Sequence, residues 1–490
     1  MSVPRDERRF GESSPGSNPL ERSPVDRIAI EHPTHCAAEV GWVADVVFRE
    51  RFGLEIETVV GTSGRGICIR RGDRKLTLSA EFFENADRAW GSAETATEVQ
   101  SGEWDVAAEG LGEGLLHRTV PIPFGRPGIS IDECGDVAVR ADLLGTIFFH
   151  LSRYEEFCRS DRDQHGRFPG KASYAARLGM LDRPLADELI EVLWNAMRRV
   201  WPDLRRPTST GRVELSCDVD WLYDAAAMRP AAMIRRLGSL ARSGDWGAAV
   251  EASRDLARRC AGGSRACPSR RGLERLMHDA ERRDLRGVFN FIPTTTDPDR
   301  DGDNRPGDPA VATLLSEIHR RDHEIGVHPG YASAEHPDVI ADGVATFRRR
   351  LAELGIEQGR LSSRQHFLRW CPHRTAAGLD AAGVDVDTTL GFADRPGFRC
   401  GTSHEFTMYD CVGRRPLRLR QRPLVAMEWS YLSPEHLAFE PGRRMATALC
   451  ELRRRCLHYG GTFTLLWHNS MLFSPRLRST LHAALDGVVP

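Results

Sequence analysis

The stretch Val213-Glu214-Leu215-Ser216-Cys217-Asp218-Val219-Asp220 decides the reading of this 490-residue chain. Its front half is a short buried strand, bounded upstream by the breakers Pro207 and Gly211. Its back half sets two carboxylates two residues apart where the strand ends. Residues i and i+2 of a strand point to one side, so Asp218 and Asp220 can converge on one point. Two anions that close repel unless a cation or a shared proton holds them. Taken alone, the pair reads equally well as two solvated loop aspartates. Downstream, however, histidines end other strand-like runs: His328 after Glu324–Val327, and His468 after Phe463–Trp467. Acids and histidines at successive strand ends are how a barrel-like α/β enzyme assembles a site.

From Gly211 onward, strand and helix patterns alternate. Strands are expected at Gly287–Ile292, Glu324–Val327, Val384–Asp387, Leu424–Met427 and Thr462–Trp467. Helices are expected at 231–240, 246–260, 272–283, 309–321, 342–354, 374–382 and 442–458. The Pro-, Asp- and Gly-rich run Pro293–Asp308 reads as a long loop at a strand's C-terminal end, a position suited to covering a site. This rhythm predicts a parallel (β/α) barrel over 209–490. Residues 27–208 read as a smaller α+β domain, with strands at 27–30, 56–60, 66–70, 75–79 and 130–131. Its helices are expected at 141–157 and 184–200. Residues 1–26, polar and rich in Pro, Ser and Gly, read as a disordered tail without the apolar core of a signal peptide.

Charge is nearly balanced, with 67 basic and 69 acidic side chains. That balance gives no electrostatic reason to expect nucleic acid or an anionic membrane as partner. No apolar run is long enough to span a membrane. The twelve cysteines form no Cys-x-x-Cys pair and read as reduced thiols of a cytoplasmic protein.

Asp218-x-Asp220, His323-Glu324-Ile325-Gly326-Val327-His328, an arginine-bearing segment and the late Leu466-Trp467-His468 together resemble the polysaccharide deacetylase family, the NodB-homology domain. Two longer signatures, Arg364–Arg369 and Asp387–Arg399, are similar to a bacterial subgroup in which a domain of unknown function precedes the barrel. The run from Phe148 to Pro169 resembles the end of that first domain. The resemblance implies a distorted (β/α) barrel that hydrolyses N-acetyl groups with a divalent metal, zinc first among them. It assigns Asp218 as general base, Asp220 and His328 as metal ligands, and His468 as general acid. Asp385 and Asp387 resemble the motif that orients the catalytic histidine, although a plain loop reading is equally open.

One departure stands out. The family's second histidine ligand falls four residues after the first, and here that position is Ala332. A catalytic zinc site needs a third protein ligand. His323 sits at the wrong end of its strand and His336 at the start of a helix, which leaves His366, just past another strand end, as the replacement. Arg364 and Arg369 can each orient a carboxylate or bind an anionic group; Arg364 is taken with Asp218 and His468 as catalytic, Arg369 as substrate-binding. Tyr331 and Trp467 are candidates to stack on a sugar ring, with packing as the open alternative.

Three functions follow in order. The first is metal-dependent deacetylation of an N-acetylated carbohydrate. The second is a degenerate barrel that binds a glycan without cleaving it, and the third is an amidohydrolase of a non-sugar amide, since fold does not fix substrate.

Overall fold

The computed structural model describes residues 27–489 except 62–65, 98–100, 223–228, 243, 245, 261–266, 303–306 and 473. The expected tail at 1–26 therefore lies outside the described residues. The fold is mixed α/β, built around two large sheets. The first half supplies β1 (Ile28–His32), β2 (Ile56–Val60), β3 (Gly66–Arg71) and β4 (Arg74–Ser79). A separate two-stranded sheet pairs β5 (Gly102–Asp105) with β6 (Thr119–Ile122). With β7 (Gly125–Ile131) and β8 (Val137–Ala141), the first four complete a six-stranded sheet in the order β2-β1-β3-β4-β8-β7.

The second half supplies β9 (Arg212–Val219), β10 (Val288–Phe291), β11 (Glu324–Val327), β12 (Ser362–Ser363) and β13 (Val386–Asp387). The hairpin β14 (Phe406–Asp410) and β15 (Arg415–Gln421), then β16 (Ala426–Met427) and β17 (Thr462–Leu466), follow. They form a nine-stranded sheet in the order β14-β15-β13-β12-β11-β10-β9-β17-β16. Every neighbour pair is parallel except β14 with β15. All the C-terminal ends of the parallel strands therefore open on one edge. β10 (Val-Phe-Asn-Phe) is buried throughout and β11 from Ile325 to Val327, as parallel strands covered on both faces are.

The expected barrel does not close into a ring: among the described residues no strand pairing joins β16 to β14 or β15. The linker Arg422–Val425 crosses from β13 on one side of the sheet to β17 on the other instead. Arg422 N–H donates to Asp387 O at 2.8 Å, and Val425 N–H donates to Thr464 O at 3.3 Å. Pro423, between them, has no N–H to give to either ladder, so the linker cannot extend one.

The expected helix 141–157 is also corrected. It breaks into Leu143–Leu151 and Tyr154–Cys158 around Arg153, whose φ is 55°. The break delivers the Arg153 guanidinium to Glu156 at 2.9 Å in a buried setting. Arg399 grips the same carboxylate through two hydrogen bonds of 2.9 and 2.6 Å. This buried trio fastens the first half of the chain to the loop that follows β13. Trp42 Nε1 donating to Thr407 O at 3.0 Å and Tyr409 O–H donating to Glu39 at 2.6 Å do the same for the β14–β15 hairpin. No helix among the described residues is long and apolar enough to cross a membrane.

Candidate metal centre

Strand β9 sets Glu214, Ser216 and Asp218 on one face, and Asp220 continues that series just beyond its end. His328 follows β11 directly, and His366 lies three residues past β12. Oδ1 of Asp220 is 3.3 Å from Nε2 of His328 and 3.4 Å from Nε2 of His366. Candidate ligand atoms of these three residues all fall within 4.8 Å of one another, and the described residues hold no second such group. Three ligands at the 2.0–2.1 Å typical of zinc, in tetrahedral directions, would stand about 3.3–3.4 Å apart. Asp220 Oδ1 and His328 Nε2 are buried, yet neither makes a hydrogen bond with a described residue. Burying such atoms unpaired is costly, so the cluster fits a divalent cation better than a set of hydrogen-bonded ion pairs.

The imidazoles are aimed from behind. Nδ1 of His328 meets Arg364 O at 2.5 Å, and Nδ1 of His366 meets Asp301 Oδ1 at 2.9 Å. A carbonyl and a carboxylate only accept, so each Nδ1 donates and Nε2 is the nitrogen that faces the cluster. Burial opposes a charge on His328, but Asp218 and Asp220 outweigh it and raise its pKa, so a bound cation would take the place of the Nε2 proton. Asp301 is itself fixed by the backbone N–H groups of Thr296, Asp297 and Tyr331. Burial opposes its charge, but the His366 imidazole and those N–H groups hold the carboxyl well below the usual range.

Asp218 receives Asn290 Nδ2 at 2.8 Å and Arg364 Nη1 at 3.2 Å on Oδ1. Its Oδ2 faces His328 Nε2 at 4.0 Å. Burial alone would raise its pKa; Arg364, His328 and His468 outweigh burial and lower it, so it is ionised at neutral pH. The same contest, won by His366, His328 and His468, holds Asp220 well below the carboxylate range. Across the site, His468 Nε2 stands 3.8 Å from Asp220 Oδ2. Glu428 Oε1 accepts from both Nδ1 (2.6 Å) and the backbone N–H (3.0 Å) of His468. Burial would lower that imidazole's pKa, but Glu428 beside it raises it to about 10, so His468 carries its proton.

These groups sit in a cavity of about 370 Å³ whose wall includes Trp221, Phe367, Leu368, Met427, Trp429 and Leu466, with His165 and Arg167 from the first half of the chain. Trp221 and Trp429 are 40% and 46% exposed and are the aromatic faces offered to a ligand.

Of the expected residues, Asp218, Asp220, His328, His366 and His468 meet at one site. Arg364 lies fully buried beneath Asp218 and outside the cavity wall, so it positions that carboxylate instead of touching a substrate. Trp467 is fully buried, because strand alternation turns Leu466 and His468 to the cavity and Trp467 away from it. It therefore offers no stacking face. Tyr331 and Arg369 stand behind the wall: the Arg369 guanidinium covers the Tyr331 ring at 4.4 Å and donates to His165 O, Tyr331 O and Glu335. His336 is exposed ahead of the helix Pro337–Glu353, and His323 accepts from Gly287 N–H at the far end of the sheet. Asp387 accepts from Thr389, and Asp385 from Leu361 N–H, so neither orients His468. Glu428 does, and with Asp301 and Asn290 it was not singled out in the sequence.

Residues 28–202 match the profile of a family described as "Family of unknown function (DUF7033)". A solved structure described as "Crystal structure of putative polysaccharide deacetylase from Mycobacterium smegmatis" is similar at 17% identity and TM-score 0.35. That likeness covers 59% of this chain and 88% of that one. No curated protein sequence matches the chain.

Proposed function

We propose that the second half of the chain, residues 209–490, is a distorted, open barrel of polysaccharide deacetylase type that hydrolyses an amide, with an N-acetylated carbohydrate as its substrate. The observation carrying this reading is the convergence of three imidazoles and two carboxylates on one sheet edge, with the imidazoles aimed by Arg364 O, Asp301 and Glu428 and with Asp218 held by Asn290 and Arg364. Asp220, His328 and His366 would hold a divalent metal, zinc by the nature of the donor set. Such an ion supplies a water of lowered pKa and polarises the scissile carbonyl when bound.

The chain's own residues provide the proton chemistry. Asp218, ionised and anchored through Oδ1 by Asn290 and Arg364, takes a proton from the attacking water through its outward oxygen. His468, protonated and steered by Glu428, gives a proton to the departing amine nitrogen. The C–N bond breaks, and acetate and a free amine leave. Trp221 and Trp429 offer flat apolar faces beside these groups, the arrangement that sugar rings stack on.

We read residues 27–208 and 209–490 as separate domains joined between about Trp201 and Gly211. Limited proteolysis cutting there before it cuts within Gly287–His328 supports that division. The activity is tested by acetate release from N-acetylglucosamine oligomers by zinc-loaded protein, with Asp218→Asn as control. Release that the control abolishes supports the reading. Bound oligomer without acetate release would favour the glycan-binding alternative that Ala332 motivates.

A further inference from the structure

We propose that the turn Asp163–Arg167, inside the segment of unknown function, is a clamp that fixes His366 as a metal ligand; this rests on the metal-dependent reading above. Asp220 and His328 leave strands of eight and four residues, so the sheet itself sets their direction. His366 follows a strand of only two residues and begins a short turn. The next two residues, Phe367 and Leu368, have φ of 60° and 54°. Bulky L-residues avoid that left-handed region, and two in succession persist only where the surroundings impose them. The third ligand therefore needs an outside hold that the other two do not.

The turn supplies it from about two hundred residues away in sequence. Arg167 Nη1 donates to Phe367 O at 3.1 Å, on the residue directly after His366. Its guanidinium is held in place by Asp163, whose Oδ2 accepts from Nε at 2.7 Å. Asp163 Oδ1 meanwhile takes the backbone N–H groups of His165 and Arg167 at 2.8 and 2.9 Å, which closes the turn. The His165 ring lies 5.0 Å from the Phe367 ring, and its Nδ1 is 3.1 Å from Tyr331 Oη. The grip also reaches the His366 ring. Arg369 ties His165 O (2.8 Å) to Tyr331 O (2.5 Å), and Tyr331 N–H donates at 2.7 Å to the Asp301 oxygen that orients His366. One turn thus holds the backbone after the ligand directly and the ring of the ligand through Tyr331 and Asp301. The segment matched only to a family of unknown function would then complete a metal site whose usual third ligand is replaced by Ala332.

The test titrates zinc alone into the full-length metal-free protein against a fluorescent chelator, comparing Arg167→Ala, Asp163→Asn and His366→Ala. The clamp predicts that Arg167→Ala and Asp163→Asn each weaken zinc binding about 10- to 100-fold, the scale of partners that orient ligands. The thermal midpoint of the metal-free protein should drop by only a few degrees, the shift expected from losing one partly exposed ion pair, a separation that a merely structural role would not give. Arg167→Ala should add nothing on the His366→Ala background. If His366→Ala weakens zinc binding but both turn variants bind as tightly as the parent, the clamp is overturned while the metal site stands. If the parent binds no zinc, the clamp falls together with the reading beneath it. Should Arg167→Ala fail to fold, Asp163→Asn decides alone, since it loosens the guanidinium without removing it.

Discussion

Asp301 Oδ1 and His366 Nδ1 lie 2.9 Å apart, and that bond turns the opposite ring nitrogen of His366 toward Asp220, 3.4 Å away. The aspartate comes from the long loop after β10 and the histidine from the turn after β12, so two separate connections are joined to make one ligand. Asp301→Ala leaves the ring free to rotate and Nδ1 without its acceptor. Zinc affinity should fall about 10- to 100-fold, measured by chelator competition. Unchanged affinity would mean that the backbone alone holds His366.

Glu428 bears the same relation to His468. Glu428→Gln keeps the shape of the side chain but removes the charge that keeps the imidazole protonated. Loss of a general acid costs about 10²- to 10⁴-fold in rate. Acetate release should drop within that range while zinc stoichiometry is unaltered. A parallel loss of zinc would instead place Glu428 in the support of the metal cluster.

Gly326 leaves the space that Asn290 needs. A Cβ on it would sit 1.9 Å from Asn290 Oδ1 and 2.9 Å from Ser362 Oγ. Gly326→Ala should destabilise the protein by about 1–3 kcal/mol, the usual cost of overpacking, and turn Asn290 away from Asp218. Adding Asn290→Ala should recover part of the stability but none of the activity. Urea unfolding of the single and double variants checks this; equal stabilities would show that Asn290 is not the clashing group.

How much of this was legible in the sequence follows from strand geometry. Asp218, Asp220, His328 and His468 each end or follow a well-patterned strand, and alternation alone aims them together. His366 was reachable by the same rule. Glu428 obeyed it too, directly after Ala426–Met427, but that strand is only two residues long and its pattern is faint. Asp301 carried no usable signal, because it stands among Asp297 and Asp299 in a loop where spacing fixes no direction. The β14–β15 hairpin was missed because β15 is crowded with arginines at 415, 418 and 420, which mask its alternating Leu417, Leu419 and Gln421. The open ring follows from Arg422–Val425, too short and irregular to pair along either edge.

The first half of the chain carries a titration of its own. His150 is buried between the Phe149 and Tyr174 rings, and burial together with Arg153 pushes its imidazole down to about 3. In the unfolded chain the same group titrates near 6.5. Below about pH 6.5 the unfolded state binds a proton that the native state refuses, so this contribution to stability is full above that pH and is lost as pH falls toward 3. His150→Met should therefore flatten the stability–pH slope between pH 6 and 4 by up to about 1.4 kcal/mol per pH unit. Urea unfolding across that range checks it; identical slopes would show that His150 is protonated in the native state.

The central claim is that Asp220, His328 and His366 together hold one divalent metal. It is tested most directly by a crystal structure of zinc-loaded protein with anomalous data at the zinc edge. The account predicts one strong anomalous peak about 2.0–2.1 Å from Asp220 Oδ1, His328 Nε2 and His366 Nε2. A peak bound by Asp220 and His328 with His366 turned away, or no peak at this strand edge, would contradict it.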